Sequence, residues 1–287
     1  MPPYPSLLVS IAVTTTLLAS ADFKSEKDLL WGHVSYPAKG NIRMQAGTVE
    51  LWFRYDGDPE EKLERYSRFT IFEFHSEKPY FLMGISVRGN DKTGPNPTVL
   101  VDLRGRDEDD KPVEQFLGAP FKDEPNAFHH VAVGWDLKAM KAWVALDGKV
   151  TSEVALNTGL WYAMSRASTE GRLRLGVRGK YGHHSQIVVD EFRISDVMRP
   201  VEQLGANLDQ ALRPDPSTLL LDAFDGDFTP DGKTQTKAAF ISGFSGEKGG
   251  LPTQHTRFVP GKFGKGLQLY VDKNKPRPTS EVKESKP

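Results

Sequence analysis

Four short runs constrain this chain more than anything else in it: Gly47-Thr-Val-Glu-Leu-Trp-Phe53, Phe128-His-His-Val-Ala-Val-Gly-Trp-Asp136, Trp143-Val-Ala-Leu-Asp-Gly-Lys149 and Val189-Asp-Glu-Phe-Arg-Ile-Ser195. Each alternates as a pleated strand must, so that Val49, Leu51, Phe53 and Tyr55 share one face while Glu50, Trp52 and Arg54 share the other. Further strand signals occur over 33–36, 68–74, 80–87, 98–103, 140–146 and 172–177. Turn-rich segments at 56–59, 89–97 and 106–112 separate several of them. The expected fold is all-β, a two-sheet antiparallel β-sandwich. One short helix is expected after the main domain, over 200–212, where Val201, Leu204, Leu208 and Leu212 recur at helical spacing.

The charge balance, 37 Lys plus Arg against 38 Asp plus Glu, offers no global field to hold nucleic acid. With no cysteine there is neither a disulfide nor a thiolate site. Ser6 to Ala21 is apolar or small and ends in Ala19-Ser-Ala21, a pattern a signal peptidase cuts, although Met1-Pro-Pro-Tyr-Pro5 carries no lysine or arginine. Residues 1–21 therefore read as a signal peptide, which places the protein outside the cell, at its surface or in the periplasm. The apolar stretch falls short of the roughly 20 residues that cross a bilayer, so no transmembrane span is expected. Residues 272–287, almost all Lys, Pro, Ser and Glu, read as a disordered tail.

The order and spacing of the four runs resemble the laminin-G-like jelly rolls of the concanavalin A-like lectin and glucanase superfamily, bacterial extracellular type. The resemblance rests on Gly47 to Trp52, Phe128 to Ala132, Asp147 to Lys149 and Asp190 to Ile194. Phe128 stands where that family has Trp, and Ala145 where it often has an aromatic. The family's opening, a Leu-Leu-x-x-Phe-Asp-Gly strand followed by Gly-x-Phe-Gly-x-x-Leu, is missing from the N-terminal side and is matched instead at Leu219 to Gly226 and Gly261 to Leu267. Residues 22–213 thus read as the sandwich. Residues 214–271 read as strands that complete it, or as the start of a second, truncated domain.

Some superfamily members are retaining glucanases, which hold two carboxylates about 5 to 5.5 Å apart on one strand. No Glu-x-Asp-x-x-Glu spacing occurs here, and nucleophile elbows and phosphate-binding glycine loops are also absent. The chain therefore reads as a non-catalytic binding module whose rim loops recognise a glycan or an extracellular protein. The alternative is a structural or adhesive domain that binds no sugar; a glycoside hydrolase ranks below both. Aromatic rings for sugar stacking are sought in the segments between strands: Trp161 and Tyr162, and Tyr181, His183 and His184. Asp222, Asp225, Asp227 and Asp231 are the candidate metal ligands. Calcium is the ion such oxygen donors suit, although Thr236 and Ala238 stand where a calcium loop would need its last glutamate. His129, His130 and Asp190 read as structural; alternation groups Asp190 with Val188, Phe192 and Ile194, toward the core.

Overall fold

The computed structural model describes residues 33–55, 68–77, 80–88, 97–122, 124, 127–176, 187–205, 208–233, 239–241 and 254–271. The signal-peptide and tail segments, the 56–59 turn and Tyr181, His183 and His184 lie outside the described residues. Two antiparallel sheets form a β-sandwich of the jelly-roll type, as the alternation requires. The first contains β1 (His33–Pro37), β3 (Arg68–Glu77), β4 (Tyr80–Arg88), β5 (Thr98–Arg106), β6 (Pro112–Pro120), β10 (Arg172–Leu175) and β13 (Ala239–Ile241), in the order β13-β1-β10-β3-β4-β5-β6. The second runs β14 (Gln254–Pro260), β15 (Lys265–Val271), β11 (Ile187–Ser195), β2 (Ala46–Tyr55), β7 (His129–Asp136), β8 (Lys141–Leu146) and β9 (Lys149–Ala155). A further strand, β12 (Thr218–Asp222), also pairs with β11.

The core lies between the sheets. Phe72, Phe74, Phe81 and Met83 from one face meet Leu51, Phe53, Val131 and Val133 from the other, and each such burial contributes about 1.5–3 kcal/mol. Trp135 is fully buried against Gly47, where any Cβ would collide with the indole, and its Nε1 donates to Met44 O at 3.1 Å. The β8–β9 hairpin turns at Asp147 and Gly148, both with positive φ (48° and 74°), the pattern of a two-residue type I′ turn.

The segment after Asn157, read as irregular from sequence, is a helix, α1 (Thr158–Arg166). Asn157 caps it by accepting from Leu160 N at 2.8 Å, and Leu160, Ala163 and Met164 recur at helical spacing to face the core. Of the one helix expected, over 200–212, Val201–Gly205 is helical among the described residues (α2); its last residue is a glycine, a usual stop. Two strands were hidden in the sequence. β6 and β9 are largely exposed on alternate residues, so neither presents the apolar pattern that marks a half-buried strand.

In β11 the alternation breaks. Glu191 has φ 53°, and the register against β2 shifts between Asp190 and Arg193, a β-bulge. Ile187, Val189, Phe192 and Ile194 face the core. Asp190 therefore shares a face with Val188 and Arg193, on the outer side of the sheet, and the core-facing grouping with Phe192 is corrected by that one extra residue. The edge of β11 opposite β2 takes two partners: β15 along Ile187–Val189 and β12 along Phe192–Ser195, one on each side of the bulge.

Candidate functional site

On the outer face of the seven-stranded sheet, Phe81, Met83 and Leu103 point inward, so Tyr80, Leu82, Arg104 and Arg106 point outward. Register carries this face across five strands in a row: Arg172 opposite His75, His75 opposite Leu82, Leu82 opposite Arg104, and Arg104 opposite Glu114. At the β4–β6 end of the row, Tyr80, Arg104, Gly105, Arg106, Pro112, Val113 and Glu114 line an open cleft of about 480 Å³.

The cleft offers one aromatic surface and several polar groups. Tyr80 is 38% exposed, and its ring meets His75 edge-on with centroids 5.4 Å apart. The guanidinium of Arg104 lies 5.4 Å from the Phe116 ring centroid, with Nη2 3.4 Å from Asp102 Oδ1. Arg106 Nη1 donates to Asp110 O at 2.6 Å. The Glu114 carboxylate stands 3.9 Å from Arg104 Nε, beyond hydrogen-bond reach. His75 Nε2 and Arg104 Nε are buried without a hydrogen-bond partner, and such atoms in a folded protein call for an explanation.

None of these residues was singled out in the sequence. Arg104 falls just past the strand expected over 98–103, Arg106 opens the turn-rich segment 106–112, and Glu114 belongs to the hidden strand β6. The signal that could have found them is the Arg-x-Arg alternation, which places both guanidinia on one face.

The other sheet's outer face holds a buried charge network. Glu50 Oε1 accepts from Arg193 Nε at 2.8 Å, and its Oε2 lies 3.2 Å from His130 Nε2. Arg199 Nη1 pairs with Asp215 Oδ2 at 2.7 Å, while Thr48 Oγ1 accepts from Arg199 N at 2.8 Å. Burial pushes the Glu50 carboxyl up, but His130 and Arg193 outweigh it and the net displacement is downward. His129 Nδ1 lies 2.9 Å from Asp147 Oδ2, and His130 N donates to Asp147 Oδ1 at 2.8 Å, fastening β7 to the β8–β9 turn. Asp190 is fully buried and is held by backbone amides: Phe263 N donates to Oδ2 and Glu191 N to Oδ1, each at 2.9 Å.

The four candidate calcium ligands do not converge. Asp222 turns inward and accepts from Tyr36 OH at 2.7 Å. Asp225 accepts from Lys265 N and Asp227 from Thr229 N. Among the described residues no group of three or more His, Asp or Glu is placed to hold a metal ion. Trp161 and Tyr162 sit on α1. Trp161 is 40% exposed with its Nε1 donating to Leu137 O, and the Tyr162 ring lies 5.1 Å from the guanidinium of Arg166. Neither lines the cleft.

Fold and site together define an all-β jelly-roll sandwich with a polar and aromatic cleft at one end of a sheet face. No protein-family model matches the sequence, and no curated protein does. Solved structures similar to it include a heptameric SAP-like pentraxin from Limulus polyphemus, at 13% identity and TM-score 0.47, over 76% of this chain and 90% of that one. The CBM40 of a Ruminococcus gnavus IT-sialidase, bound to α2,3 sialyllactose, aligns at 11% identity and TM-score 0.42, over 62% and 93%. Domains LG4-5 of the mouse laminin α1 chain align at 13% and 0.42, over 79% and 47%. Among the described residues no helix is long and apolar enough to cross a membrane.

Proposed function

We propose that this protein is an exported, non-catalytic glycan-binding module whose site is the cleft beside Tyr80. The observation that carries the reading is a ring 38% exposed, set among two guanidinia and a carboxylate around one open space. A sugar presents an apolar ring face for stacking and hydroxyls that both donate and accept, and this lining supplies the complement of each. Residues 214–271 belong in this reading to the same sandwich, which is supported by the pairing of β12 and β15 with β11 and of β13 with β1. The non-catalytic part is supported by Glu73 and Asp102. They face the same side on β3 and β5, in register across Gly84 of β4. Each is already paired with an arginine, Arg174 at 3.2 Å and Arg104 at 3.4 Å, where a glycosidase needs one carboxyl free to hold a proton for the leaving oxygen.

The test is a glycan array probed with the wild-type protein and with Tyr80→Ala, each with and without a calcium chelator. Reproducible binding that survives the chelator and is lost in Tyr80→Ala is expected. A blank array opposes the reading and favours docking of a protein; binding untouched by Tyr80→Ala moves the site elsewhere.

A further inference from the structure

Resting on that reading, we infer that the cleft beside Tyr80 takes an acidic saccharide, one carrying a carboxylate or a sulfate, and that Arg104 and Arg106 are the groups that select it. The two arginines are two residues apart on the outer face of β5, roughly 6.8 Å between backbones at the usual strand rise. Both line the same cleft. An anion placed between them would meet two guanidinia at once.

Each guanidinium is braced from behind rather than left to swing. Arg104 has Phe116 against its face and Asp102 at one Nη; Arg106 is tethered through Nη1 to the carbonyl of Asp110. An arginine fixed in this way loses little freedom on forming the paired hydrogen bonds that suit a planar oxyanion. Acids stand beside both guanidinia: Asp102 Oδ1 lies 3.4 Å from Arg104 Nη2, Asp110 Oδ2 3.3 Å from Arg106 Nη1 and Glu114 Oε2 3.9 Å from Arg104 Nε. The Asp110 and Glu114 side chains are 83% and 59% exposed, and solvent-screened pairs of that kind are weak enough for a ligand's anion to displace. Of the charged side chains lining the cleft, two are positive and one is negative. Tyr80 supplies the stacking surface, which is indifferent to the ligand's charge.

The experiment uses matched pairs that differ only in the anionic group: polygalacturonate against its full methyl ester, and dextran sulfate against dextran. An array of acidic glycans with their neutral counterparts accompanies them, all at two salt concentrations. The wild-type protein is expected to favour the acidic member of at least one pair by about tenfold, and to lose part of that preference as salt rises. The two pairs separate the carboxylate source from the sulfate source. Arg104→Gln and Arg106→Gln should each remove the preference while leaving the melting temperature near that of the wild type. Tyr80→Ala should weaken acidic and neutral members alike. Equal binding of acidic and neutral members, or a preference that survives both arginine substitutions, overturns the acidic selection and leaves the glycan reading standing. No binding to any glycan on the array removes the glycan reading, and this inference with it.

Discussion

Arg193 and Glu50 face each other in register across β11 and β2, with Nη2 2.7 Å from Oε1 and both side chains buried. The same carboxylate also answers His130, and Arg199 stands 3.6 Å away. Removing it would leave the buried Arg193 guanidinium without its carboxylate, while Arg199 keeps Asp215. Glu50→Ala is expected to cost about 3–5 kcal/mol, the range for breaking a buried pair from one side. A urea titration checks it: the midpoint should fall with the slope unchanged, and a loss below about 1 kcal/mol would mean that this network does not hold the sheet together.

Asp190 and Glu191 carry the opposite electrostatics. Burial pushes both carboxyls up to about 7, against the amides that hold them, and the neighbouring Asp225 adds to the rise. A carboxyl whose folded pKa is raised binds its proton more tightly in the folded protein. Its contribution to stability is therefore full below about pH 4 and is lost as pH rises toward 7. Asp190→Asn removes one such titration but also replaces an acceptor of a backbone amide. The variant should be less stable than wild type near pH 5 and recover ground near pH 8, as read by paired thermal melts. A difference that stays constant with pH would show that Asp190 does not titrate in this window.

Tyr36 ties the first described strand to the C-terminal block, through its hydroxyl to Asp222. Burial and the Tyr36 contact act in opposite directions on that carboxyl, and the net is a rise to about 6. Tyr36→Phe leaves a buried carboxyl short of a donor and should cost about 1–3 kcal/mol. Limited proteolysis should then cleave sooner between residues 222 and 254. An unchanged cleavage rate would mean that the hydroxyl does not fasten the block.

Gly134 lies opposite Trp143 on the outer face of the second sheet, where a Cβ would strike the indole. Gly134→Ala should destabilise by about 1–3 kcal/mol through overpacking, measurable in the same urea titration. A neutral result would show that Trp143 can shift under the α2 segment at little cost.

The sandwich was legible because β2 alternates Val49, Leu51 and Phe53 with Glu50, Trp52 and Arg54, and because β7, β8 and β11 are short runs of strand-forming residues. β6 and β9 were not, since their exposed faces leave them without that pattern. The orientation of Asp190 was misread because a bulge shifts parity, and the sequence Val-Asp-Glu-Phe carries no glycine or proline to announce one. The cleft escaped for a third reason. Tyr80, Arg104, Arg106 and Glu114 come from three strands, and only pairing in register brings them together. Trp161 drew notice as an aromatic outside any apparent strand, yet its helix spends its apolar side on closing the sandwich.

The most direct test observes the arginines themselves. A side-chain spectrum that resolves the Arg Nε–H resonances, assigned with Arg104→Lys, Arg106→Lys and Arg193→Lys, would be followed during titration with the tightest-binding glycan of the array. The account predicts that the Arg104 and Arg106 signals move in step with binding while Arg193, on the opposite sheet, stays in place. Saturable binding that leaves Arg104 and Arg106 unmoved would contradict it.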